Sequence, residues 1–240
     1  MTNKKKVFVV AVAVCLIAIL SLSSLAWFSD ADDVTNNFQV AGGENEDPDE
    51  IFSIDVMEAV DLNGDGKVDA TVGYDKDPEF VNEALYENIM PGDMLLKRPQ
   101  AKNTGSYAQW VRFKVTIDNA SDWVAVMQKY GYELHDLLYM KDGVTKLTEA
   151  DNWTFVPEQT TVTDDKVTYV FYYNDTLEPG ETAVLFGNVK IPFELNQYDM
   201  ALFAEGKFQM VVTGEAIQAE HTGDNAVEAF ALVETTQAIK

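Results

Sequence analysis

Asp61, Asn63, Asp65 and Asp69 occupy positions 1, 3, 5 and 9 of the stretch Asp61-Leu62-Asn63-Gly64-Asp65-Gly66-Lys67-Val68-Asp69. Oxygen ligands at that spacing are what a hard cation takes from a calcium loop. Gly66 stands at position 6, where the chain must turn sharply, and Lys67 offers its main-chain carbonyl at position 7. Position 12 is Val72, where a bidentate acid is usual, so Asp75 or Asp77 would have to substitute along a different backbone path. No clear helix flanks the stretch. A loop between strands is expected, binding calcium with a Kd of about 10⁻⁴ to 10⁻³ M. The competing reading is an Asn-Gly/Asp-Gly hairpin turn with solvated acids.

Catalytic chemistry has little footing. The chain holds two histidines, His135 and His221. Neither has a second histidine four residues on, so the His-Glu-x-x-His helix of a metallopeptidase is missing. Two separated histidines make a poor zinc site, and His135 is expected to pack locally. No Gly-x-Ser-x-Gly elbow and no phosphate-cradling Gly-rich loop stand out. No catalytic residue and no organic cofactor are therefore expected. Asp and Glu number 40 against 17 Lys and Arg, a net charge of −23. Such a surface repels phosphate, which argues against nucleic acid and against anionic lipid as partners.

The elements that must position these residues begin with an export signal. Lys4, Lys5 and Lys6 precede the apolar run Val7–Leu20 of 14 residues, and Ser24-Leu25-Ala26 supplies small residues for cleavage. A retained anchor is the alternative, but a membrane span needs about 20 apolar residues. Residues 1–26 are read as a signal helix, 27–50 as an acidic segment and 51–240 as the folded domain. Loss of the three lysines leaves 14 basic against 40 acidic residues, a formal charge of −26. The one cysteine, Cys15, falls inside the signal, so the mature chain has no disulfide and no thiolate site. At 47% hydrophobic and 11% aromatic, the chain can bury a sizeable core.

Alternation identifies the strands. Phe52, Ile54 and Val56 alternate with Ser53, Asp55 and Met57. Residues 107–118 are the clearest strand, with Val111, Phe113, Val115 and Ile117 on one face and Trp110, Arg112, Lys114 and Thr116 on the other. Further strands are expected after Met90-Pro91-Gly92-Asp93, over 162–173 with Tyr169, Phe171 and Tyr173 in the core, over 183–193 and over 207–217. Pro-Gly turns fall at Pro91-Gly92 and Pro179-Gly180. Short helices are expected at 79–88, at 122–129 capped by Ser121, and at 224–233. Many strands with few helices indicate an all-β antiparallel sandwich.

These blocks resemble the TasA/camelysin family. The resemblance rests on the export signal followed by Ala26-Trp27-Phe28-Ser29-Asp30 and Asn37-Phe38-Gln39-Val40-Ala41-Gly42. It continues through Pro91-Gly92-Asp93, Lys102-Asn103-Thr104-Gly105-Ser106, Val111-Arg112-Phe113, Leu177-Glu178-Pro179-Gly180-Glu181 and Glu215-Ala216-Ile217-Gln218-Ala219-Glu220. It implies a jelly-roll fold, export through a dedicated signal peptidase, and a place in extracellular fibres of a biofilm matrix or cell surface. In TasA-like fibres an N-terminal segment pairs with the sheet of the next subunit, so the chain's partner is expected to be itself, with other matrix proteins as further candidates. The donor candidate here is Phe28–Gly42, with Phe28, Val34, Phe38 and Val40 as its apolar positions. The same segment also suits a strand in its own sheet or a tail. Camelysin is described as a metallopeptidase, and the missing motif disfavours that activity here. A monomeric calcium-binding adhesin is the third function that fits.

Overall fold

The computed structural model describes residues 29–33, 36–38, 53–60, 70–73, 89–163, 165–201 and 209–238. Its first strands are β1 (Ser29–Asp33), β2 (Asn36–Phe38), β3 (Ile54–Val60), β4 (Ala70–Gly73), β5 (Met94–Asn103) and β6 (Gln109–Asp118). Helix α1 (Ala120–Lys129) follows, then β7 (Leu138–Tyr139), β8 (Trp153–Phe155), β9 (Thr161–Thr163) and β10 (Lys166–Tyr173). The chain continues through β11 (Thr182–Val184), β12 (Asn188–Lys190), α2 (Gln197–Met200), β13 (Met210–Gln218) and α3 (Ala226–Ala238).

The strands form two antiparallel sheets. One runs β2-β1-β13-β6-β10-β8, with β9 also on β10; the other runs β4-β3-β5-β12-β7, with β11 also on β5. Period-two alternation in β6 turns Val111, Phe113, Val115 and Ile117 inward, and all four are fully buried. They share one core with Ile54, Val56, Ala101, Ala183 and Val189 of the other sheet. The chain is thus an all-β protein with a few short helices, as the alternation predicts. The sheets pack tightly at Gly214, where a Cβ would lie 2.6 Å from Val56 Cγ2.

The two Pro-Gly turns are built alike. Gly92 has φ +90° and Gly180 φ +83°, the left-handed geometry glycine adopts freely. In each, the following acid closes the turn: Asp93 N donates to Met90 O and Glu181 N to Glu178 O. The same acid's carboxylate accepts from the N–H three residues back, Met90 N at 2.7 Å and Glu178 N at 3.0 Å. The turns lead into β5 and β11, which pair with each other. Between β5 and β6, Asn103 is fully buried and fully satisfied. Its amide donates to Tyr107 O and Leu177 O and accepts from Gly105 N and Gln109 Nε2.

Three expectations need correction. The run 162–173 is two strands, because Asp165 adopts φ +66° and turns the chain between β9 and β10. The run 183–193 is also two short strands, β11 and β12. Helix α1 starts after Asn119, which sits at φ +54° and makes no side-chain cap. Ser121 is not the cap; its N–H and Oγ both donate to Asp165 across the fold. The second face of β6 is itself partly covered. Trp110 and Arg112 are buried, because α3 covers them with Ala226, Ala229 and Phe230 in a second, smaller core. The 79–88 helix expectation lies outside the described residues.

Candidate assembly site

The outer edge of β13 is occupied by the N-terminal strand of the same chain. Ser29, Asp30, Ala31, Asp32 and Asp33 stand opposite Ile217, Ala216, Glu215, Gly214 and Thr213. The chain then turns back, and β2 pairs with β1 so that Phe38 opposes Ala31. The donor candidate therefore forms a strand in its own sheet. Of its four apolar positions, Phe38 falls within β2, and Phe28, Val34 and Val40 lie outside the described residues.

Behind this edge lies a polar cluster that the sequence pattern did not bring together. Arg112 on β6 is directly opposite Glu215 on β13, and its Nε donates to Glu215 Oε2 at 2.5 Å. Lys114 Nζ takes the other oxygen, Oε1, also at 2.5 Å. From α3, Glu234 Oε1 reaches Arg112 Nη1 at 2.7 Å, and the guanidinium lies 4.2 Å from the centre of the Phe230 ring. Arg112 Nη1 also donates to Tyr172 Oη at 3.3 Å, and Tyr172 donates to Gln159. Burial works against the Glu215 charge, but Arg112 and Lys114 outweigh it and hold the carboxyl below the ordinary range. Burial also opposes the Arg112 charge; Glu215, Tyr172 and Glu234 more than offset it and raise the guanidinium. The cluster ties β13 to β6, β10 and α3. In the sequence its members appeared only apart, Arg112 and Lys114 on one face of the 107–118 strand and Glu215 in a block noted for resemblance.

The calcium candidates Asp61, Asn63, Asp65, Lys67 and Asp69 lie outside the described residues. Their flanks are strands: Val60, the end of β3, opposes Ala70, the start of β4. Among the described residues, no group of three or more His, Cys, Asp or Glu stands ready for a metal ion.

His135 belongs to a 3-10 turn, Leu134–Leu137, and its ring packs 4.9 Å from Phe155 and 5.2 Å from Tyr169. Its Nδ1 is buried without a hydrogen bond. Burial lowers its proton affinity; Asp136, 4.0 Å away, and Glu133 pull the other way without overcoming it, and Lys146 adds to the lowering. The folded chain thus binds this proton less readily than the unfolded chain. Its contribution to stability is complete above the ordinary histidine pKa of 6.5 and is lost as pH falls below it. His135→Phe keeps the aromatic packing and removes the titration. Its melting temperature should fall less than the parent's between pH 7 and pH 5, by a few degrees, in parallel calorimetric scans. Equal falls would place the acid sensitivity elsewhere.

No family model matches the chain, and no curated protein and no solved structure matches it.

Proposed function

We propose that the chain is a secreted structural protein, a TasA-like fibre subunit of a biofilm matrix or cell surface, that polymerises by strand exchange. In this reading the segment Phe28–Gly42 leaves its own β13 and pairs in the same register with β13 of a neighbouring copy, and the two sheets are a jelly roll. The observation that carries the reading is the pairing of β1 with β13. A polar N-terminal strand supplies the edge of a sheet whose described core is built from Ile54 onward. Exchange of such a strand keeps every main-chain hydrogen bond, so cis and trans pairing differ little in contact energy. Linker reach and protein concentration then decide between them. A copy that gives its strand to one neighbour and receives one from another makes a head-to-tail contact that need not close, which yields filaments. The formal charge of −26 on the mature chain, 14 basic against 40 acidic residues, opposes close approach. Salt at about 0.15 M confines that repulsion to about 8 Å and should favour growth.

Negative-stain electron microscopy of the purified secreted protein tests the reading. Filaments that lengthen with salt are expected. Single particles at all concentrations and salts would overturn it.

The loop Asp61–Asp69 is proposed to hold calcium at the β3–β4 connection, with Asp61, Asn63, Asp65 and Asp69 as side-chain ligands. Calcium at about 5 mM should then stabilise the fold by about 1 to 2 kcal/mol, given a Kd of about 10⁻⁴ to 10⁻³ M. Thermal unfolding should show the shift in the parent and not in Asp65→Ala. A parent indifferent to calcium would leave a solvated turn.

A further inference from the structure

Resting on the strand-exchange reading, the inference concerns what fixes the register of the strand that docks on β13. Few side chains on that edge could read an incoming strand. Gly214 and Ala216 are the smallest available, and a Cβ at Gly214 would meet Val56 of the other sheet. Thr213 and Ile217 carry no charge. Glu215 is the one ionic group on β13 within the paired stretch, and both of its oxygens are taken from behind by Arg112 and Lys114. Those cations stand on β6, the side of β13 away from β1. An incoming strand therefore meets the carboxylate before it meets the charges that neutralise it.

The incoming strand is Ser29-Asp30-Ala31-Asp32-Asp33, in which three of five residues are acids. In the observed register Ala31 is the residue opposite Glu215. A slip of one residue in either direction brings Asp30 or Asp32 there. A slip of two brings Asp33 there, or else Ser29. The Ser29 register, like the observed one, sets an uncharged residue opposite Glu215, so the carboxylate does not separate those two. Like charges directly opposite in an antiparallel pair are destabilising. Three of the four alternative registers thus set a carboxylate against Glu215, and the observed register does not.

We propose that Glu215 is the register-selecting residue of this edge: it admits a small uncharged residue, Ala31, opposite it and rejects a carboxylate there, whether the strand comes from the same chain or from a second copy.

Amide hydrogen–deuterium exchange at residues 213–217 of the full mature chain, kept dilute and monomeric, tests the proposal. Ala31→Asp should speed exchange and Ala31→Lys should slow it, each by about 1.4- to 5-fold, the span of cross-strand pair effects. In the Glu215→Gln background both differences should vanish. If Glu215→Gln does not fold, 1 M salt serves instead, because a Debye length of about 3 Å should shrink the Asp-to-Lys difference. Asp and Lys acting in the same direction, or a difference that survives both Glu215→Gln and salt, would overturn the proposal. Because exchange is read in the monomer, a chain that never forms filaments but shows the charge pattern would refute strand exchange alone.

Discussion

Mature chain lacking Phe28–Gly42 should form no filaments and should remain folded. Loss of β1 and β2 removes the edge pairing of Thr213–Ile217 but leaves β13 paired along its whole length with β6, Met210 to Gln218. It also leaves the described cores, whose residues begin at Ile54. The shortened chain keeps an open edge, which invites another strand, but it has no strand to give. Growth needs both, so the effect on polymerisation should be complete rather than partial. A synthetic peptide of residues 28–42 should fill the edge and raise the melting temperature of the shortened chain by mass action. Phe38→Asp should weaken assembly in the full chain, since an unpaired charge resists burial in a paired interface. Circular dichroism and electron microscopy together check the outcome. Filaments of undiminished length from the shortened chain would remove strand exchange from the account and leave the two-sheet fold untouched.

The second large effect should come from Arg112. Arg112→Met removes the charge that holds Glu215 and the anchor of Glu234. Glu234 is more than half exposed and returns to water, while Glu215 is largely buried and keeps only Lys114. Leaving a buried partner short of its counter-charge typically costs about 3–5 kcal/mol, and denaturant unfolding should show a loss of that size. Arg112→Met combined with Glu215→Leu should recover most of it, because replacing both members of a buried pair with apolar groups of similar volume is often neutral. A single variant as stable as the parent would mean that the pair and its Phe230 stacking contribute nothing. A double variant worse than the single would mean that the ion pair itself, rather than the orphaned acid, carries the stability.

Much of the fold was legible because its signal is local. Alternation along 107–118 marked a strand and its inward face, and those four inward residues are fully buried. Tyr169 and Phe171 were assigned to the core on the same ground and lie there. The failures share one cause. Trp110 and Arg112 sit on the face that a period-two pattern assigns to solvent, and only a helix more than 100 positions away buries them. The break between β9 and β10 hid in Asp164-Asp165, which reads as two more polar residues unless the positive φ at Asp165 is known. Ser121 has the chemistry of a cap, yet a long-range contact with Asp165 uses it differently.

The candidate site divides in the same way. That the N-terminal segment could be a strand was visible in its own residues. Which strand it would meet was not, because Ala31 and Glu215 are brought together only by topology. The Arg112–Glu215 pair spans 103 positions and leaves no local trace.

The most direct measurement is a mixed cross-link. One population carries Asp33→Cys and a second, isotopically distinct population carries Thr213→Cys, opposite positions in the β1–β13 register. Both populations start at Trp27, which leaves out the native Cys15. The populations are mixed, assembled in salt and oxidised, and the disulfide-linked peptides are read by mass spectrometry. Strand exchange predicts abundant 33–213 links joining the two isotopes in the filament fraction and few in dilute monomer. Filaments without such links, alongside a chain carrying both cysteines that closes the 33–213 bond only within itself, would show that the N-terminal strand stays at home and that the polymer is held some other way.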